Sequence, residues 1–186
     1  MPARMPRRLP VLLCLVALGA GVAACGEADV EQGVEEPARE GLALELEGIE
    51  YNVFITRELN PRVAPDDAYV EADTEPGKDE TLYGVFLQAC NRTDEPHTAV
   101  NGFKIVDNQG NEFEPEELPS DNQFAYHAKE LLPNECLPEA GSVAQLGPTA
   151  GLMLLFRLPL ANTEYRPLEL EIEGTGDAHL TYELDI

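Results

Sequence analysis

The side chains that could do chemistry in this chain are few and widely spaced. The three histidines, His97, His127 and His179, lie 30 and 52 positions apart and form neither HxH nor HExxH. A zinc site needs three or four nitrogen, sulfur or carboxylate ligands converging in space, so each histidine reads as exposed or locally bonded. Beyond residue 25 the serines are Ser120 and Ser142, neither of them within GxSxG, and no glycine-rich loop is built to cradle phosphate. Soft Cu(I) sites ask for methionine and cysteine. Past Met5 only Met153 remains, inside an apolar run. Flat exposed aromatics for sugar binding are also scarce: there is no Trp, and most Tyr and Phe lie in apolar strand patterns, with Tyr69 and Tyr126 as exceptions in loops. No catalytic residue and no cofactor is assigned, and the chain reads as a non-enzyme. Carboxylates are the one abundant reactive group. They cluster in "PDDAYVEADTEPGKDE", with Asp66, Asp67, Asp73, Glu75, Asp79 and Glu80, and again in "EFEPEELPSD". Calcium takes six to eight oxygen ligands, so a tethered calcium or small-ligand carrier is the alternative function; solvated acidic loops are the plainer reading of such runs.

The four cysteines sort by position. "MPARMPRR" is basic, and "LPVLLCLVALGAGVAA" follows as sixteen apolar or small residues holding Cys14. A helical membrane span takes about 20 apolar residues, so this shorter run behind a basic flank is expected to be an export signal over residues 1–24. The residues Val22-Ala23-Ala24-Cys25 resemble a bacterial lipobox. That resemblance implies a diacylglyceryl thioether on Cys25, cleavage before it, and attachment to the cell membrane, on its extracytoplasmic face, through lipid alone. Cys90 and Cys136 remain. They are an even pair in an exported chain, where disulfides persist, and their separation of 46 positions excludes a CxxC redox motif. A bond closing that loop contributes about 4 kcal/mol in the chain-entropy model; two free buried thiols are the alternative.

Charge bounds the partners. The chain holds 35 Asp or Glu against 12 Lys or Arg, a formal charge of −23. Without Arg4, Arg7 and Arg8 of the export signal, nine basic residues face the same 35 acids, a formal charge of −26. Nucleic-acid affinity rests on basic side chains displacing cations from phosphates, so no nucleic-acid partner is expected. A protein or cell-envelope partner fits better. The six acids from Asp66 to Glu80 are the candidate interaction loop.

Positioning these groups falls to strands. Residues 25–41, in "CGEADVEQGVEEPAREG", are acidic and poor in apolar side chains and read as a flexible tether. Residues 42–186 form the domain. "PLELEIEG" sets Leu168, Leu170 and Ile172 against Glu169, Glu171 and Glu173, and "HLTYELDI" sets Leu180, Tyr182, Leu184 and Ile186 against Thr181, Glu183 and Asp185. Such period-two alternation marks strands with one wet face. In "LALELEGIEYNVFITREL" the apolar parity changes at Gly48, with Ile49, Tyr51, Val53 and Ile55 expected inward, which suggests a bulge or a break between strands. "TLYGVFLQACN" and "AGLMLLFRLP" are apolar on both parities, as expected of strands covered on both faces. "GFKIVDNQGNEFEP" reads as a hairpin. "QFAYHAKELL", Gln123 to Leu132, is the best helical stretch. The expected fold is all-β: an antiparallel immunoglobulin-like β-sandwich of about seven to nine strands.

One resemblance spans this domain. "GKDETLYGVFLQACNRTDEPHTAVNGFKIVDNQGNEFEP", "LLPNECLPEAGS" and "GLMLLFRLP", in that order, resemble the telokin-like, immunoglobulin-type extracellular domains of bacteria of the DUF4352-like kind. A strand ending in Asn91, a strand leading to Asp107 and Gly110, a proline-marked loop and an apolar strand ending at Pro159 carry the likeness. It implies a surface-exposed β-sandwich and supplies no catalytic residues.

Overall fold

Alternating apolar residues become paired strands wherever a turn lets the chain reverse. In the computed structural model, which describes residues 36–70 and 74–186, the clearest case is Leu168–Glu173. It pairs antiparallel with His179–Glu183 on one side and Gly102–Asp107 on the other. Leu168, Leu170 and Ile172 are buried, and the intervening glutamates face out. In chain order the strands are β1 Ala38–Arg39, β2 Ala43–Leu46, β3 Ile49–Leu59, β4 Glu80–Asn91, β5 His97–Thr98, β6 Gly102–Asp107, β7 Glu112–Phe113, β8 Glu130–Leu131, β9 Cys136–Leu137, β10 Leu152–Pro159, β11 Leu168–Glu173 and β12 His179–Glu183. One sheet runs β1-β12-β11-β6-β7 and the other β10-β4-β3-β2, with β9 continuing beside β4; β5 and β8 form a separate pair. Seven of the described strands exceed two residues, and these make the expected β-sandwich. The parallel pairing of β1 with β12 departs from a purely antiparallel arrangement.

Between the sheets lies the main core, with Tyr51, Val85, Leu87, Phe156, Leu170 and Tyr182 at its centre. The Tyr182 hydroxyl donates to the Tyr51 carbonyl (2.8 Å) and lies 3.1 Å from that of Leu42. Burial pushes its pKa up to about 12. The central strands β4 and β10 are covered on both faces, as their sequence predicts. Their second face packs Leu82, Phe86, Met153 and Leu155 with Leu59, Tyr69 and Val70. Each such fully buried side chain contributes roughly 1.5–3 kcal/mol relative to exposure.

Glu47 and Gly48 both take positive φ, 53° and 81°, in a two-residue turn that joins β2 to β3. The parity change at Gly48 is therefore a strand break. Gly48 is also held by space: a Cβ there would lie 2.5 Å from the His97 ring. A bulge does occur, further along β3, where the register with β4 shifts between Val53 and Ile55. It turns Ile55 outward, 41% exposed, and brings Thr56 inward, so the inward placement expected for Ile55 is corrected. Gln123–Leu132 is not a helix. Its first part runs extended along β10, with Met153 N–H donating to Phe124 O (2.6 Å) and Tyr126 N–H to Met153 O (2.9 Å); a helix there would leave the β10 edge unpaired.

One further expectation moves. The tether does not reach Gly41, because Ala38 and Arg39 pair with Tyr182 and Glu183. Beside them the Glu40 carboxylate accepts from Thr56 N–H (3.1 Å) in one sheet and Asp185 N–H (3.2 Å) beside the other. Composition counts apolar side chains and misses such backbone and carboxylate bonds. The export signal and Cys25 lie outside the described residues. Cys90 and Cys136 stand opposite each other on β4 and β9 with Cα atoms 4.1 Å apart, and their sulfurs are bonded.

Next to that bridge, Asn91 is fully buried and fully paired. Its amide donates to Glu95 O (2.7 Å) and Leu131 O (2.9 Å) and accepts from Thr93 N–H (2.9 Å) and the Thr93 hydroxyl (2.8 Å). The asparagine at the strand end thus ties β4 to β8 and to the following loop.

Candidate interaction surface

The acidic stretch from Asp66 to Glu80 leaves β3, forms a 3₁₀ turn over Asp66–Ala68 and returns to start β4. Tyr69 folds the loop down: its ring meets Phe86 and Phe124 edge to face at 5.0 and 4.8 Å. Asn122 holds the Tyr69 carbonyl at 3.0 Å. This loop tyrosine is 2% exposed, and Tyr126 is 7% exposed with its hydroxyl donating to Val100 O. Neither forms an exposed aromatic platform.

Three of the five described candidate acids are engaged within the loop and its supports. Asp66 is 9% exposed, forms an ion pair with Arg57 and accepts from Asn60 N–H at 2.9 Å. The Arg57 guanidinium also lies 5.9 Å from the Tyr69 ring centroid. Asp66 is therefore structural, which corrects its assignment to a presented surface. Glu75 holds Arg62 with two bonds, at 2.8 and 2.5 Å, and that arginine draws its pKa down. Glu80 accepts from Gly77 N–H (2.9 Å) and lies 3.3 Å from Arg157; the backbone bond first, and then the arginine, lower its pKa. Asp67 and Asp79 are exposed and have no ion pair among the described residues, and Asp73 lies outside those residues. Among the described residues of the loop, two of the five candidate carboxylates, Asp67 and Asp79, are exposed without an ion pair.

A second acidic cluster, sharing fewer cations, sits on the outer face of the β11–β12 sheet. Lys104 of β6 is the hub, 2.9 Å from Glu112 and 3.2 Å from both Glu171 and Glu173. Its pKa is raised, most by Glu112. Glu169 stands directly opposite Glu183; burial, then Glu171 and Glu183, raises its pKa. Arg39 of β1 covers Glu183 at 3.2 Å and Asp185 at 3.6 Å. Nearby, an open groove of about 860 Å³ is lined by Glu114, Glu116, Glu117, His127 and Glu173 over Met153. Glu116 is drawn to Arg157 at 2.8 Å. Part of this acid set was visible in "EFEPEELPSD". Its meeting with Glu173 and His127 depends on pairing across the sandwich.

Asp107 is a carboxylate used for architecture. It is 4% exposed and closes the β6–β7 turn, accepting from Gln109 N–H, Asn111 N–H and the Asn111 and Asn162 side-chain amides. Burial pushes its pKa up, but these donors outweigh it and hold the group at about 2. Among the described residues no three of His, Cys, Asp and Glu are placed to hold a metal ion. His97, His127 and His179 stand on β5, a loop and β12.

No family model matches the chain, and no curated protein matches it. Solved structures do resemble it. One is ycdA of Bacillus subtilis, provisionally described as a lipoprotein, at 13% identity and a TM-score of 0.50; the match covers 78% of this chain and 38% of that one. A conserved hypothetical protein of Bacillus anthracis aligns at 10% identity and a TM-score of 0.49, over 78% of this chain and 95% of its own. An uncharacterised β-sandwich protein of Clostridium difficile aligns at 12% identity and a TM-score of 0.45, over 81% and 97% of the two chains. This chain spans under two fifths of ycdA. At these identities the likeness is one of fold, and the fold is an all-β sandwich.

Proposed function

We propose that this chain is a lipid-anchored, non-enzymatic module of the telokin-like, DUF4352-like kind, held at the extracytoplasmic face of the cell membrane and presenting its sandwich to a protein or cell-envelope partner. The observation that carries the anchor is Val22-Ala23-Ala24-Cys25, placed behind a basic flank and sixteen apolar or small residues. A thiol is the side chain that gives a thioether with diacylglycerol, and small neighbours admit a peptidase to the backbone. The sandwich supports the binding role in a simple way: Glu45, Asp67 and Asp79 are exposed and have no ion pair among the described residues, so their charge is open to a partner. The calcium-carrier alternative finds no ligand set among the described residues.

Fractionation of cells carrying Cys25→Ser tests the anchor. The wild type is expected in the membrane fraction with added lipid mass, and the variant in the soluble fraction without it. A variant that still sediments with membranes at unchanged mass overturns the reading.

A further inference from the structure

Every sheet has edges, and an unpaired edge offers backbone donors and acceptors to any extended chain that arrives. Three of the edges of this sandwich are guarded. The far edge of β10 is covered by Phe124–Tyr126 and by Pro115 and Glu116, with Glu116 N–H donating to Leu155 O at 2.6 Å. The β12 edge is met by β1, itself two residues long and preceded by Pro37. At the other end of that sheet, β7 is two residues long and is followed by Pro115. Shortness and proline are the usual protections.

The outer edge of β2 has no proline and is twice as long as β1 or β7. β2 is four residues, Ala43-Leu44-Glu45-Leu46, without proline, lysine or bulge, and is preceded by Leu42 at 54% exposure. The geometry of its hairpin says which groups are open. Leu46 and Ile49 flank the two-residue turn at Glu47–Gly48, so they form a hydrogen-bonded pair, and pairs alternate along the ladder. Leu46 and Leu44 then bond to β3, while the N–H and C=O of Ala43 and Glu45 point away from it. Both residues are exposed, and among the described residues nothing bonds to those groups.

We infer that the outer edge of β2 is a strand-addition site for an extended, lysine- or arginine-bearing segment of a partner protein. Main-chain bonds to Ala43 and Glu45 would provide the affinity, and side chains at alternate positions the selectivity. Charge chooses the occupant. Glu45 has no ion pair among the described residues and stands directly opposite Glu50, whose carboxylate is 3.1 Å from Arg92. A second copy of this chain would bring a second Glu45 to the same edge and a second net charge of −23, so self-pairing is opposed. The inference rests on the binding role proposed above and names its surface.

The test uses the full chain in non-ionic detergent and three labelled hexapeptides: alternating lysine and valine, the same with alternate backbone nitrogens methylated, and alternating glutamate and valine. The lysine–valine peptide is expected to bind, and to slow amide exchange at Ala43 and Glu45. Methylated and glutamate peptides are expected to bind at least tenfold more weakly. Glu45→Pro removes an outward N–H and spares the β2–β3 bonds, so it should also weaken binding at least tenfold at an unchanged melting temperature. If the methylated peptide binds as well as its parent, the attraction is to bulk charge and the inference fails; it fails too if exchange at Ala43 and Glu45 is unaltered. A natural partner held equally by wild type and Glu45→Pro would keep the anchored-binding role and remove this edge from it. Loss of anchoring on its own would be seen in the Cys25→Ser fractionation and would leave the peptide result untouched.

Discussion

Two acidic regions of this molecule handle the same charge in opposite ways. In the loop from Asp66 to Glu80, Asp66 has Arg57, Glu75 has Arg62 and Glu80 has Arg157. On the outer face of the β11–β12 sheet a single lysine serves Glu112, Glu171 and Glu173, while Glu169 faces Glu183. The loop gives each of these acids an arginine; the sheet face shares one lysine among three glutamates and leaves Glu169, beside Glu183, without an ion pair among the described residues. The number of carboxylates in a stretch therefore says little about how much charge a partner would meet.

The contrast can be broken most forcefully at Asp66. Replacing it with Ala strands the Arg57 guanidinium in a half-buried site, and loss of one partner of such a pair costs roughly 3–5 kcal/mol. Asp67→Ala, next door and exposed, should stay within about 0.5 kcal/mol. Urea denaturation of the two variants measures both, and equal midpoints would erase the distinction between buried and presented acids.

A second break uses acid. Asp107 titrates at about 2 in the folded chain against 3.8 ordinarily. Its lowered pKa contributes stability that is present above 3.8 and is lost as pH falls through about 2. Glu169 has the opposite sign: its raised pKa means that the folded state holds the proton more tightly, so its charge costs stability at neutral pH, and that cost disappears below the ordinary carboxylate pKa of 4.5. Asp107→Asn should accordingly flatten the loss of stability between pH 4 and pH 2. Glu169→Gln should be more stable than wild type at pH 7 and indistinguishable from it below pH 4. Urea midpoints across that range would expose either sign as wrong.

Smaller effects sharpen the comparison. Lys104→Met leaves three glutamates without their shared cation. The melting temperature should fall at low salt and recover toward wild type near 1 M salt, where screening reaches about 3 Å. Arg62→Ala removes an exposed pair and should barely move the melting temperature, as isolated surface pairs contribute little. Calcium at millimolar concentration and a chelator should give the wild type the same melting temperature. A clear rise in calcium would revive a metal role.

What could be read in advance follows from which forces are local. Leu168, Leu170 and Ile172 alternate with glutamates, and the backbone alone converts that pattern into a strand with one wet face. The two-sided burial of β4 and β10 was equally plain, because both parities are apolar. The bulge that turns Ile55 outward leaves no mark in the pattern; it lies where the pairing of β3 passes from Leu87 to Phe86. Gln123–Leu132 carried a weak helical spacing that the bare edge of β10 overrode. The acidic loop misled for the same reason: Arg157, which reaches Glu80, lies 77 positions away, and no local pattern announces such a partner. The open edge of β2 was hidden altogether, since a strand shows in its own sequence while its neighbours do not.

The stitch made by β1 also has a mechanical side. Residues 38 and 39 lie alongside 182 and 183 in the same direction, and Glu40 fastens to both halves of the sandwich at once. A pull on residue 36 along the strand would load these bonds together, in shear, where peeling would break them one after another. A domain pulled from that end would therefore give way later than one whose first strand hung from a hairpin.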